Sequence, residues 1–359
     1  MLAKYLFMQL TPDNFNNHYS PIGNRSYLEE FFPGLTIFVL TDTTLSQSIH
    51  LHNIESIIAQ IPKLDLVVID VTDNPYPFGV DRSKLDVTIN IASKYAKTLV
   101  LIDDFSFYKS NDSTVIYFPL WLWMFSKRLW LFWKDTPMQS FMEPLLISDI
   151  VSNKSKGICC LNRSTHRHRV VLFNQLVKYE LLDKIHYTFG VVPFHNPPEL
   201  TQNELDEYFG NQHLLPRIIV PGDLVNRTDP GISHLVYAEC AFNLTVESTA
   251  DHRGMITEKT CKPFMALQIP IIFGPRGISR QCALYGLDMF NDIIPWHTWD
   301  DIDDCQEKAH IIVKFLCDFV EQDLLAIYNK NIERVNRNKE YFHSEKFRSI
   351  ILQDMHTKL

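Results

Sequence analysis

The sequence predicts an α/β chain built as two doubly wound domains, and three observations carry that expectation. Short apolar runs rich in Val and Ile recur along the chain, each continuous rather than alternating. That is the pattern of strands buried on both faces of a parallel sheet. Helical stretches separate the runs and give a βαβ order. At 359 residues the chain is long for one domain and of ordinary length for two.

In the first half, residues 35–40 (LTIFVL), 64–71 (LDLVVIDV) and 98–102 (TLVLI) read as strands, with helical spacing over 83–97. Acidic residues follow the runs: Asp42, Asp73, and the pair Asp103 and Asp104. Ligands of an open parallel sheet bind just beyond the carboxyl ends of its strands. An Asp in that place also caps the next helix, so each has a structural reading beside the functional one. The apolar stretch 115–133 is broken by Pro119, Lys127 and Arg128 and carries Trp121, Trp123, Trp130 and Trp133. It reads as a core helix between domains, or else as a membrane-surface or acceptor-binding face.

The polar segment 152–157 interrupts the apolar pattern and marks a boundary, giving domains at 1–150 and 151–359. The second half repeats the alternation. Residues 157–161 (GICCL) read as a strand, 167–182 as a helix, and 185–189, 217–220, 242–246 and 269–273 as further strands before a charged helical C-terminus. Two such Rossmann-like halves are expected to face each other across a cleft, which suits an enzyme that brings a nucleotide-linked donor to a separate acceptor.

Composition narrows the classes. With 46% apolar and 12% aromatic residues the chain can bury a core, which excludes global disorder. A net charge of −8 is not the profile of a general nucleic-acid binder. Seven cysteines at irregular spacing, with no CxxC, read as reduced thiols in a cytoplasmic protein. The first ten residues are too short and too interrupted for a signal peptide, and no apolar run has the ~20 residues of a membrane span. The six N-x-S/T sequons are read as chance, since the one at Asn243 falls inside a strand.

The most informative stretch runs from Phe242 to Gly277. A strand ends at Glu247, and a polar loop with Asp251, His252, Arg253 and Gly254 follows. Thr257 then caps a helix opened by Glu258 and Lys259. Unpaired N–H groups and the helix dipole at such a junction favour a diphosphate. Lys259 adds a point charge, and the Glu258 carboxylate suits two adjacent ribose hydroxyls. The same residues also read as a capped helix with a solvated Glu–Lys pair.

The string Glu247-Ser248, then Ile256-Thr257-Glu258-Lys259, a short helix, and Ile269-Pro270-Ile271-Ile272-Phe273-Gly274-Pro275 resembles the donor-binding motif of the α1,3-fucosyltransferase family. That pattern is E-N-S, a gap, Y-I/V-T-E-K, a helix and P-V-V/I-x-x-G. Ser248 stands where the family has Asn, and Met255 where it has an aromatic residue. The resemblance implies a GT-B glycosyltransferase whose C-terminal domain binds a nucleotide-sugar through Glu247, Thr257, Glu258 and Lys259. It leaves the sugar open.

Residues 161–176 (LNRSTHRHRVVLFNQL) follow a strand and open a helix. Cations at a helix N-terminus oppose its dipole unless an anion compensates them, and Arg gives phosphate bidentate contacts. The arrangement is similar to the first loop of the C-terminal domain in fucosyltransferase-like enzymes, where an Arg holds the donor diphosphate. Asn162, Arg163 and Arg169 are the candidates, with Arg167 in reserve; a solvated basic turn is the structural alternative. The pairs His50/His52 and His166/His168 lack a third ligand, so no metal is expected. Residues 300–304 (DDIDD) read as a solvated helix start.

An inverting transfer needs a base for the acceptor hydroxyl. Asp73, Asp103 and Asp104 are the candidates, Asp73 first because it follows the longest strand. The expected activity is therefore metal-independent glycosyl transfer with no cofactor beyond the nucleotide-sugar, onto a glycan rather than DNA. Three other readings stay open. One is the same chemistry on a hydroxymethylated DNA base, with Lys127, Arg128 and Lys134 among the tryptophans as its support. Another is a non-catalytic nucleotide-sugar or glycan-binding module. The third, a dehydrogenase, lacks a G-x-G-x-x-G after any strand.

Overall fold

A computed structural model of the chain describes residues 35, 37–41, 55, 56, 58–61, 63–70, 82–102, 115–119, 122, 126, 154–162, 165–189, 200–215, 235–248, 250 and 254–358. The chain divides into two compact units, Met1–Leu120 with Ser349–Leu359, and Trp121–Arg348. Both are α/β with parallel sheets. Among the described residues, no helix is long and apolar enough to cross a membrane.

In the first unit, β1 (Ile37–Thr41), β2 (Leu66–Asp70), β3 (Lys97–Ile102) and β4 (Val115–Tyr117) form one sheet in the order β1-β2-β3-β4, all parallel. The runs Leu66–Ile69 and Leu99–Leu101 are fully buried, as continuous apolar strands require. Helix α1 (Arg82–Ala92) joins β2 to β3 and turns Thr88 and Ala92, one helical turn apart, inward. Among the described strands the order follows chain order without a reversal, so the doubly wound order expected is not seen in these four strands. A buried apolar run specifies that a strand forms, not which neighbours it takes.

The helix expected over 115–133 starts later than its apolar pattern. Val115–Tyr117 is a strand, with Val115 opposite Val100. The β-branched pair Val115-Ile116 favours extended backbone, and Pro119 bars residue 118 from an α conformation. Residues 122 and 126 are helical. The four tryptophans and Lys127, Arg128 and Lys134 lie outside the described residues, as do His50, His52 and the strand expected at 217–220.

The second unit carries β5 (Lys156–Leu161), β6 (His186–Thr188), β7 (Cys240–Val246) and β8 (Ile269–Phe273). Their order is β6-β5-β7-β8, again all parallel. The chain passes from β5 to β6 on one side, then crosses back to place β7 on the other side of β5. That reversal makes the ends of β5 and β7 a topological switch point.

Helices α2 (Arg167–Lys178), α3 (Gln202–Gly210), α4 (Leu235–Glu239) and α5 (Glu258–Met265) alternate with these strands. After β8 come α6 (Ile278–Leu284), α7 (Cys305–Phe319), α8 (Leu324–Lys330), α9 (Ile332–Phe342) and α10 (Glu345–Lys358). Every residue of β7 and β8 is buried. Helix α7 lays Phe315 and Phe319 against Trp299 and Phe242. Phe173 of α2 forms an aromatic cluster with Tyr187, Phe189 and Tyr208. Fully buried aromatic and aliphatic side chains of this kind contribute roughly 1.5–3 kcal/mol each, and they hold the strand ends in place.

Lys154, inside the polar segment at 152–157, is buried and donates to the carbonyls of Tyr237 (2.9 Å) and Ala266 (2.7 Å). Burial pushes its ammonium down to about 8. Asn243 is also buried and donates to the Gln268 side chain, so its sequon offers no room for a glycan. All seven cysteines are free thiols.

The acidic run at 300–304 is only partly a solvated helix start. Asp304 does cap α7, accepting from Glu307 N–H at 2.8 Å. Asp300 is buried, where it accepts from the backbone (3.2 Å) and hydroxyl (2.7 Å) of Ser279 and so caps α6. Asp301 and Asp303 pair with Arg280 and Arg276 on the same side.

Candidate functional site

Two of the sequence-marked stretches meet at the switch point of the second sheet. The loop after β5 carries Asn162, and the first turn of α2 that follows carries Arg167 and Arg169. The loop after β7 carries Glu247 and Thr257, and the first turn of α5 carries Glu258 and Lys259. Since β5 and β7 are hydrogen-bonded neighbours, both loops leave the sheet side by side.

Glu247 organises the junction. It follows the last residue of β7, and its backbone N–H donates to Phe273 O at 3.0 Å, extending the pairing with β8. Its carboxylate is fully buried and accepts five hydrogen bonds. These come from the backbone N–H of Ser248 (3.0 Å), Thr257 (3.0 Å) and Thr260 (3.2 Å), and from the hydroxyls of Thr260 (2.5 Å) and Thr257. Two of those N–H groups belong to the first turn of α5, which otherwise lacks intrahelical partners. Glu247 therefore anchors the helix start from behind, with its oxygens taken up by protein donors.

Thr257 caps α5 as its position predicts: extended backbone, with the hydroxyl oxygen accepting from Lys259 N–H at 3.3 Å. Glu258 and Lys259 follow. The Lys259 ammonium donates to Glu258 Oε1 (2.6 Å) and Ser248 Oγ (2.9 Å). Both side chains keep some exposure, 26% for Lys259 and 18% for Glu258, enough to meet a ligand. Burial works to raise the Glu258 carboxyl, but Lys259 and Lys262 outweigh it and hold the group at about 2. The pair is partly buried and ionic rather than the solvated pair of the structural alternative.

From the facing loop, Arg169 sits in the first turn of α2 and is buried. Burial lowers its guanidinium from the ordinary value, opposed by the nearby Glu258 and Glu247 carboxylates. A buried cation and a partly buried Glu–Lys pair thus share one small region, reached from two loops. Low-dielectric surroundings strengthen such charges towards an anionic ligand.

Arg167 does other work. Its guanidinium forms a forked pair with Glu204, at 2.9 and 3.3 Å, and Glu204 is also the reciprocal member of the Thr201 capping box of α3. The compensating anion expected for this basic turn is, for Arg167, a carboxylate of the protein. Asn162 is buried with its amide turned to Cys160 Sγ (3.3 Å) and its N–H bonded to Thr188 O. Arg163 lies outside the described residues, as do Asp73, Asp103, Asp104, Asp251, His252 and Arg253.

Two histidines join the site that the metal question alone had raised. His168 is buried, with Nε2 2.8 Å from Glu247 O and its ring edge on Phe273. His166 stacks parallel on it, ring centroids 5.9 Å apart. Burial, then Arg169 and Lys259, bring His166 down to about 4; burial and Arg169 push His168 well below its ordinary value. Both are neutral at pH 7. The sequence signal was the His-x-His spacing across the α2 cap. Thr260, missed altogether, was marked by its place one turn after Thr257. Among the described residues no group of three or more His, Cys, Asp or Glu side chains is arranged to hold a metal ion.

No known protein family, curated protein or solved structure matches this chain.

Proposed function

We propose that the chain is a GT-B-type glycosyltransferase with two Rossmann-like domains. It moves a sugar from a nucleotide-diphosphate-sugar to an acceptor hydroxyl, with inversion and without a metal. The observation that carries the proposal is the convergence of Arg169 with Glu258 and Lys259 at the β5/β7 switch point. Switch points of this kind take nucleotides.

The α5 N-terminus and Lys259 offer charge for the diphosphate, and Arg169 strengthens the local field. An ionised Glu258 is an acceptor for two ribose hydroxyls. Glu247 and Thr257 keep this turn in place, which is preorganisation rather than direct contact. As the sugar leaves, negative charge grows on the diphosphate, and cations already fixed there stabilise the transition state more than the ground state. An N-terminal carboxylate, Asp73, Asp103 or Asp104, takes the acceptor proton. A glycan is the acceptor that fits the acidic balance of the chain.

The test is turnover. The full chain is incubated with GDP- and UDP-sugars and a panel of glycan acceptors, with and without EDTA, and release of nucleoside diphosphate is followed. Acceptor-dependent release that survives EDTA and falls at least about a hundredfold in Glu258→Ala supports the proposal. Donor binding without release under any acceptor would favour a non-catalytic binding module instead.

A further inference from the structure

His166 occupies an unusual place. It is the N-cap residue of α2, yet its side chain caps nothing. Among the described residues, neither ring nitrogen has a hydrogen-bond partner in the protein; the ring's contact is its stack on His168. His168 is fixed in turn. Its Nε2 lies 2.8 Å from Glu247 O, a geometry that only an N–H donor satisfies, and Phe273 closes its other side. Among the described residues, the charged groups that act on the His166 ring are Arg169 on its own helix and Lys259 on α5. Lys259 is itself tied to Glu258.

We propose that His166 is a further binding residue of this site, taking up a proton as a nucleotide-sugar diphosphate binds and giving it as an N–H hydrogen bond to a phosphate oxygen. The inference rests on the diphosphate reading above and adds to it.

The physical logic is electrostatic. In the empty site, Arg169 and Lys259 already place two positive charges beside the ring, and a third charge there is repelled. Burial adds to that cost, and the imidazole is held neutral at about 4. A bound diphosphate brings two negative charges into the same low-dielectric region. It offsets those two positive charges, removes the repulsion between them and a charged ring, and so favours imidazolium. The proton comes from solvent, and the ring, packed flat on a fixed neutral histidine, is already oriented. His168 does not titrate in its place: burial, then Arg169, hold it well below its ordinary value, although its bond to Glu247 O works the other way. The site thus gains its third cation only when an anion is there to balance it.

The sign follows by linkage. Because His166 has the higher proton affinity in the complex, donor affinity strengthens as pH falls through the bound-state value.

The experiment uses calorimetry on the full chain with whichever of GDP-fucose, GDP-mannose, UDP-glucose or UDP-N-acetylglucosamine binds. Both phosphates of these probes stay ionised throughout the range, so the ligand contributes no proton of its own. Binding heats are measured near pH 6 in MES and in Bis-Tris, which both buffer there and whose ionisation heats differ, and affinity is followed from about pH 5.5 to 7.5. The wild type is expected to take up a measurable fraction of a proton and to lose affinity, by up to about tenfold per pH unit. H166Q, which keeps polar groups without titrating, is expected to show no buffer dependence and a flat pH profile. Binding with no proton uptake by the wild type, or with equal uptake in H166Q, overturns the role of His166 and leaves the diphosphate site standing. If no probe binds, the diphosphate reading falls, and this inference with it.

Discussion

Thr260 gives both its backbone N–H and its hydroxyl to one carboxylate oxygen of Glu247, at 3.2 and 2.5 Å. A residue at the end of a strand is thereby fixed to the first turn of a helix 13 positions further on, and the loop between them has two pinned ends. Glu247→Gln exchanges an acceptor oxygen for an N–H₂ that faces donors. The loss is expected to be about 2–4 kcal/mol in urea unfolding, since hydrogen bonds to a buried charged group are costly to leave unmade. Nucleotide affinity is expected to fall together with stability. A variant as stable as the wild type would mean that the anchor is not needed.

Arg167 and Arg169 are two positions apart and are predicted to behave differently. Arg167→Gln strands the Glu204 carboxylate, whose side chain is only 4% exposed. It is expected to lower stability by about 1–3 kcal/mol while leaving nucleotide affinity within about twofold. Arg169→Gln is expected to remove affinity by at least tenfold, as loss of a buried cation beside the ligand implies. Equal effects on binding would show that the Arg167–Glu204 pair is not merely structural.

Buried Lys154 gives a pH test of the fold. Its folded value, about 8, is below that of the unfolded chain, so between about 8 and 10.5 the unfolded state binds more protons. Over that window the wild type is expected to gain stability relative to Lys154→Met as pH rises, and below it the difference is expected to be flat. Urea midpoints of both proteins at four or five pH values check this. A difference that shrinks as pH rises would contradict the burial of the ammonium.

The strands and caps were legible because their causes are local. Residues 269–273 form a strand over the run that predicted it, and Thr257 caps α5 through the hydroxyl its position called for. What stayed hidden depends on distant partners. Nothing near Arg167 announces Glu204, 37 residues away. Asp300, in a run that reads as solvated, is buried because Ser279 offers two donors. Sheet order was equally out of reach. The buried runs of both halves look alike, yet the described strands of the first sheet follow chain order while the second reverses between β5 and β7. Only that reversal brings the segments of Arg169 and Glu258 to one switch point.

Calorimetric binding of nucleoside diphosphates and their sugars, GDP, UDP and ADP series side by side, tests the central claim most directly. One series is expected to bind the wild type, and Glu258→Ala is expected to weaken it by at least tenfold while melting within a few degrees of the wild type, because the Glu258 side chain caps no helix and sits at the edge of the packed core. Absence of binding by every nucleotide at millimolar concentration would contradict the assignment of the β5/β7 switch point as a donor site.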